Sequence, residues 1–287
     1  MDNYRRQQIQ AQAWTLLQDA GVSALPVRPL EIAQHLQIHV EAKPASIAGA
    51  SGWLIRNGDD YAIVYATHID SLGFQNFSIA HELGHYSLAG HPEHIFLSGD
   101  QHASRAGFSS TDAFEQEADY FAACLLMPKP LCLPLIHRNV DGMSAVRALA
   151  DSCQTSLVAS ALRYAEIGPM PAGVIQCQRG RVEFCATYPL LSRVGWAKAL
   201  ARNAKVPDHS ATWRLAEDHA AVAAGEEDSD TAPASEWFSG ASGRYELVEE
   251  VIGLGTFGRT LTLLTVTEAD EDEDNDDDEE WSPPRFR

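Results

Sequence analysis

Two histidines stand four residues apart with a glutamate beside the first, in the run His81-Glu82-Leu83-Gly84-His85. On a helix, residues at i and i+4 share a face about one turn apart. Both imidazoles can then grip one metal ion. The Glu82 carboxylate reaches a neighbouring water rather than the metal, and can take that water's proton. This is metal-assisted hydrolysis with a carboxylate base, the mechanical content of the HExxH pattern. The pattern fixes only three positions, so its context decides. Apolar Ile79, Ala80 and Leu83 surround it, as a half-buried active-site helix requires.

A hydrolytic zinc site also needs a third protein ligand and one open position. A second expected helix offers Glu115-Gln116-Glu117-Ala118-Asp119. Glu115 and Asp119 are i and i+4, so both can face the first helix. Glu115 is assigned as the third ligand. Asp119 then accepts a hydrogen bond from the free N–H of a ligand histidine and fixes its tautomer. Glu117 points the other way and is expected to face solvent, although it is an alternative ligand. His91 is a second alternative, but HExxHxxxxxH lacks the glycine spacing of HExxHxxGxxH. His94, His102 and Tyr120 all stay open as the group that polarises a substrate carbonyl. Two histidines and one carboxylate suit zinc, and the same set holds manganese or iron. Cys124, beside Leu125 and Leu126, reads as core rather than as a nucleophile.

These residues need elements to hold them. Arg5 to Ala20 has helical spacing and Gly21 is a natural stop. Pro29 opens a short helix through His35, and Ile38 to Val40 reads as a strand. Gly52 to Ile55 and Tyr61 to Tyr65 flank Asn57-Gly58-Asp59-Asp60 as a hairpin. The HExxH helix is expected to begin at Asn76 or Ser78 and end near Gly90. A loop of about 20 residues follows, long enough to suggest a role of its own. Thr111 or Asp112 caps the second helix, which stops at Met127 before Pro128. Two more helices are expected between Ser144 and Ala165. After Gly168-Pro169-Met170-Pro171 the pattern changes. Strands are expected at Gly173–Cys177 and Arg181–Ala186, and helices at Val194–Ala204 and Thr212–Ala223. An acidic loop and strands from Arg244 to Val266 complete that region. The reading is α+β throughout: a mainly helical, zincin-type peptidase domain with a small sheet over 1–168, a smaller α+β domain over 171–267 and an acidic tail over 268–287.

Composition narrows the function classes. Forty-five per cent of the 287 residues are hydrophobic, enough for a true core. No apolar run approaches the length of a membrane span, and the polar start does not read as a secretory signal. The five cysteines are odd in number and lack CxxC spacing, as in reduced thiols of a cytoplasmic protein. Eleven carboxylates and no base lie between Glu268 and Glu280, and removing them takes the net charge from −19 to −8. Neither part offers a basic face for a phosphate backbone, so direct nucleic-acid binding is not expected.

Phe77-Ser-Ile-Ala-His-Glu-Leu-Gly-His-Tyr86, followed by Phe114-Glu-Gln-Glu-Ala-Asp-Tyr-Phe-Ala-Ala-Cys-Leu-Leu-Met-Pro128, resembles the ImmA/IrrE metallo-endopeptidases. The resemblance covers roughly residues 5 to 167. It implies a gluzincin arrangement with His81, His85 and Glu115 on the metal and Glu82 as the catalytic glutamate. It also implies site-specific cleavage of a helix-turn-helix transcriptional repressor that derepresses genes after stress. Members often carry a histidine four residues after the second ligand, where this chain has Ala89. No helix-turn-helix precedes the peptidase region, so a repressor substrate would be a separate polypeptide. By element order, residues 171–267 resemble a GAF-like sensor domain. The competing expectation is a metal-bound regulatory module that sequesters a partner protein without cutting it. A structural zinc protein fits poorly, because such sites usually close with four ligands rich in cysteine.

Overall fold

The computed structural model describes residues 1–43, 50–68, 71–104, 112–139, 142–187, 190–194, 200–242, 244–256 and 258–268. The chain forms two compact units, Met1–Pro169 and Met170–Arg287. Each mixes helices with one sheet, so the architecture is α+β. Among the described residues no single helix is long and apolar enough to cross a membrane. Thr111, and the acidic tail beyond Glu268, lie outside the described residues.

The first unit opens with α1 (Asn3–Asp19), whose N-terminus is capped where the Arg5 N–H donates to Asp2 Oδ1 at 2.7 Å. Its buried stripe is Ile9, Ala13 and Leu17, at steps of four. Gly21 follows with φ +72°, a left-handed turn that suits glycine. Then come α2 (Pro29–His35), β1 (His39–Lys43), β2 (Gly52–Asn57) and β3 (Asp60–Ala66). Next are α3 (Leu72–Ser87), α4 (His91–Ile95), β4 (Gln101–Ser104) and α5 (Ala113–Leu126). The unit closes with α6 (Lys129–Ile136), α7 (Gly142–Cys153) and α8 (Leu157–Ile167). The sheet order is β1-β3-β2-β4, with β1 parallel to β3 and the other pairs antiparallel. Ile9, Leu17, Leu54, Ile63, Leu83, Phe121 and Leu125 form the core where α1, α3, α5 and the sheet meet.

Two expectations for this unit change. The HExxH helix starts at Leu72, not at Asn76 or Ser78, because Ser71 caps it by accepting from the Phe74 N–H at 3.4 Å. Ser78 lies inside the helix, and its hydroxyl donates to the Phe74 carbonyl one turn back at 3.0 Å. The long loop contains α4 and β4. Both are too short to show a period in sequence, yet β4 pairs with β2 at one edge of the sheet.

Arg163 on α8 is a buried charge in this core. Its Nε donates to the Met127 carbonyl at 2.9 Å, Nη1 to Glu166 at 2.6 Å and Nη2 to Gln10 at 3.3 Å. One guanidinium thus ties α8 to the end of α5 and to α1. Arg163→Leu orphans the Met127 carbonyl and takes from Glu166 one of its partners. It is expected to cost about 3 kcal/mol of stability, measured as a lower urea midpoint at unchanged slope.

The second unit contains β5 (Ala172–Gln178), β6 (Arg181–Ala186), α9 (Leu190–Arg193), α10 (Ala211–Glu217) and α11 (His219–Ala224). It continues with β7 (Glu227–Pro233), α12 (Ala234–Trp237), β8 (Tyr245–Gly253) and β9 (Arg259–Glu268). The sheet is antiparallel in the order β6-β5-β9-β8-β7. The expected helix over 194–204 is not present in its described residues. Asn203 has φ +68°, and its N–H donates to the Val182 carbonyl at 2.7 Å, so the backbone joins β6 instead. The expected helix over 212–223 breaks at Asp218, whose carboxylate caps α11 through the Ala220 and Ala221 N–H groups. The acidic loop is the edge strand β7. Its exposed charges hid the strand in sequence, and they are what keeps such an edge from pairing with other chains.

Candidate metal centre

Helices α3 and α5 lie against each other at Gly84. A Cβ there would sit 3.2 Å from Ala118 Cα and 3.2 Å from Phe121 Cδ1, so a larger residue would push the helices apart. That close approach joins the two halves of the site. His81, Glu82 and His85 are all completely buried. The Nε2 atoms of His81 and His85 are 3.1 Å apart. Glu115 faces both, with Oε2 3.4 Å from His81 Nε2 and Oε1 3.2 Å from His85 Nε2. One donor atom from each of the three residues lies within 4.8 Å of the others.

The opposite ring nitrogens are engaged elsewhere. His81 Nδ1 lies 2.8 Å from Asp119 Oδ1, so Nδ1–H donates there and Nε2 is the nitrogen turned to the site. Two converging imidazole lone pairs and a carboxylate are a donor set for a divalent cation.

Glu82 differs from its neighbours. Both carboxylate oxygens are buried and neither meets hydrogen-bond geometry among the described residues, the Ser104 hydroxyl being the polar group that favours the ionised form. A buried, unpaired carboxylate is costly unless something joins it. Burial pushes this carboxyl up to about 7, against the pull of the charge on His81. Gly52, on β2, makes the space it occupies: a Cβ there would lie 2.5 Å from Glu82 Oε1. Gly52→Ala is therefore expected to displace the Glu82 carboxylate and slow cleavage about tenfold to a hundredfold, with metal content unchanged. Steady-state rates and metal analysis of the same preparation check this.

Protons and a cation compete for these ligands. Burial alone would depress His81, but hydrogen bonds to Asp119 and Glu115 and the Glu82 charge outweigh it and lift the ring to about 10. Burial takes His85 down to about 3, with Glu115 opposing. Glu115 is held far below the usual carboxylate range: burial raises it, and hydrogen bonds with His102, His81 and His85 outweigh that. Near neutral pH the metal-free site holds a proton on His81, and cation uptake must expel it. Affinity should accordingly rise about tenfold per pH unit up to the His81 value. Calorimetry in two buffers of different ionisation enthalpy reads the released proton.

The other candidates divide clearly. His102, on β4, lies 3.1 Å from Glu115 Oε1 with its ring 4.8 Å from that of His85. His94 stacks on Phe114 at 3.8 Å, and Tyr120 donates to Glu166. Of the three open carbonyl-polarising groups, His102 reaches the three-donor cluster. His91 is not among the three clustered donors. It is fully buried, with Nδ1 3.2 Å from His85 Nδ1 and Nε2 3.2 Å from Glu117 Oε2. Glu117 does not simply face solvent as expected, because Arg5 reaches across from α1 to pair with it. No sequence signal joins residues 112 positions apart.

An α+β unit that sets an HExxH helix against a second helix with a carboxylate donor has the build of an HExxH metallopeptidase. Residues 33–163 match the family model described as the IrrE N-terminal-like domain, peptidase family M78, and this match supports an ImmA/IrrE assignment for that region. It is similar to the radiation response metalloprotease IrrE of Deinococcus radiodurans, at 28% identity over 107 residues. That match spans 37% of this chain and 32% of the relative, about a third of its length. The fold is also similar to a solved structure of a Mycobacterium tuberculosis transcriptional regulator. There the TM-score is 0.55 at 17% identity, over 90% of this chain and 76% of that one.

Proposed function

We propose that the chain is a zinc-dependent endopeptidase that cuts a helix-turn-helix transcriptional repressor at one site in the cytoplasm, and so derepresses genes under stress. The observation that carries the peptidase reading is Glu82: a fully buried carboxylate, raised by that burial to about 7, beside three converging donors. In this reading His81, His85 and Glu115 hold the cation, in a gluzincin arrangement. Zinc, with manganese or iron as other fits, supplies a Lewis acid and lowers the pKa of a bound water. Glu82, raised toward neutral pH, takes the proton of the attacking water and can return it to the leaving amine. His102, partly exposed beside Glu115, donates to the carbonyl oxygen as charge develops there. Asp119 keeps the His81 ring in the tautomer that presents Nε2.

We assign residues 1–168 to the peptidase domain, 171–267 to a GAF-like sensory domain and 268–287 to an acidic tail. What supports the sensory reading is a five-stranded antiparallel sheet with buried Glu249 against α10 on one face. The test uses purified helix-turn-helix repressors as substrates. Zinc-loaded protein should give one cut, located by intact-mass spectrometry, and a chelator should stop it. Tight complex formation without any cut would favour the sequestering module instead.

A further inference from the structure

His81 is oriented by Asp119, yet among the described residues no carboxylate stands directly behind His85. In its place stands a chain of three side chains from three elements. His85 Nδ1 faces His91 Nδ1 at 3.2 Å, His91 Nε2 faces Glu117 Oε2 at 3.2 Å, and Arg5 Nε donates to Glu117 Oε2 at 2.9 Å. Resting on the metal-site reading above, we propose that His91, Glu117 and Arg5 are positioning residues that hold His85 with Nε2 turned to the cation.

The argument is one of proton directions. Two ring nitrogens at hydrogen-bond distance share a single proton, so one donates and the other accepts. Glu117, paired with Arg5, is a carboxylate and only accepts. His91 must then carry its proton on Nε2, which leaves Nδ1 as an acceptor. His85 in turn carries its proton on Nδ1 and leaves Nε2 bare, facing Glu115 and His81. The fixed charge of Arg5 sets the direction of the whole chain from the far end. Each link is positioned by the fold. Gly90, at φ +85°, turns the backbone so that His91 opens α4, and Phe114 packs edge-on against its ring at 4.9 Å. His91 is wholly buried. Nothing but His85 and Glu117 is hydrogen-bonded to its ring nitrogens among the described residues.

Asparagine and leucine separate this role from packing, because they have nearly the same shape. His91→Asn keeps an acceptor close to the Nδ1 position, whereas His91→Leu does not. Zinc affinity is measured on the full chain by competition with a chromogenic chelator, alongside the melting temperature of the metal-free protein. His91→Leu should bind zinc about tenfold to a hundredfold more weakly, and His91→Asn should recover most of that loss. Equal affinities for the two variants would overturn the relay, since a packing role cannot tell them apart. Glu117→Gln, nearer the rim, gives a second reading if either His91 variant does not fold. It should weaken zinc about threefold to tenfold, and wild-type affinity there would also overturn the proposal. His81→Ala separates the relay from the site itself. If His81→Ala loses zinc and His91→Leu does not, only the relay fails. If His81→Ala binds as wild type, the site reading fails and the relay with it.

Discussion

Glu82→Gln is expected to reduce cleavage about a thousandfold while the protein keeps one metal ion per chain. The two effects separate because the two jobs fall on different atoms. His81, His85 and Glu115 form the converging donor group, and Glu82 is outside it. Glutamine has the size of glutamate and fits the space left by Gly52. It cannot take a proton from water. It also removes a buried charge whose burial outweighs its stabilising contacts, so folding stability should hold or rise slightly. Single-turnover cleavage and metal content on one preparation check both halves. Cleavage at the wild-type rate would remove Glu82 from the chemistry.

Glu115→Ala should weaken zinc binding more than a hundredfold. Glu115 alone among the nearby acids faces both imidazole Nε2 atoms. It also contacts His102 at 3.1 Å, so its loss takes a contact from three rings at once. Asp119 cannot replace it, being on the far nitrogen of His81. Glu117, the alternative ligand, is committed to His91 and Arg5. Chelator competition should therefore rank Glu115→Ala far below Glu117→Gln in affinity. The reverse order would exchange their roles.

Much of this arrangement was legible in the chain because helical geometry is local. His81 and His85, like Glu115 and Asp119, are related by a single turn, and i, i+4 spacing is enough to put each pair on one face. The meeting of the two helices was an inference from chemistry, and the contact at Gly84 is what makes it physically close. What was not legible depends on distant backbone. Gly52 makes room for Glu82 from a strand, and nothing around it marks that role. Glu117 was read as solvent-facing because facing arguments see one helix at a time, and α1 covers that side. His91 was judged by its spacing from His85 as a ligand, when its geometry makes it His85's support. In the second unit, the acidic residues of β7 suggested a loop. An edge strand with one wet face carries the same composition.

The central claim is that two imidazoles and one carboxylate, and no thiolate, hold the cation. X-ray absorption at the zinc edge on the full chain loaded with one equivalent of zinc tests it directly. All five cysteines are free, and four of them are buried, so a sulfur ligand would be visible if the site were elsewhere. The expected spectrum shows only nitrogen and oxygen neighbours at about 2.0–2.2 Å, with the outer-shell pattern of two imidazoles, and it loses one imidazole in His81→Ala. Sulfur at about 2.3 Å, or a spectrum unchanged in His81→Ala, would contradict the account.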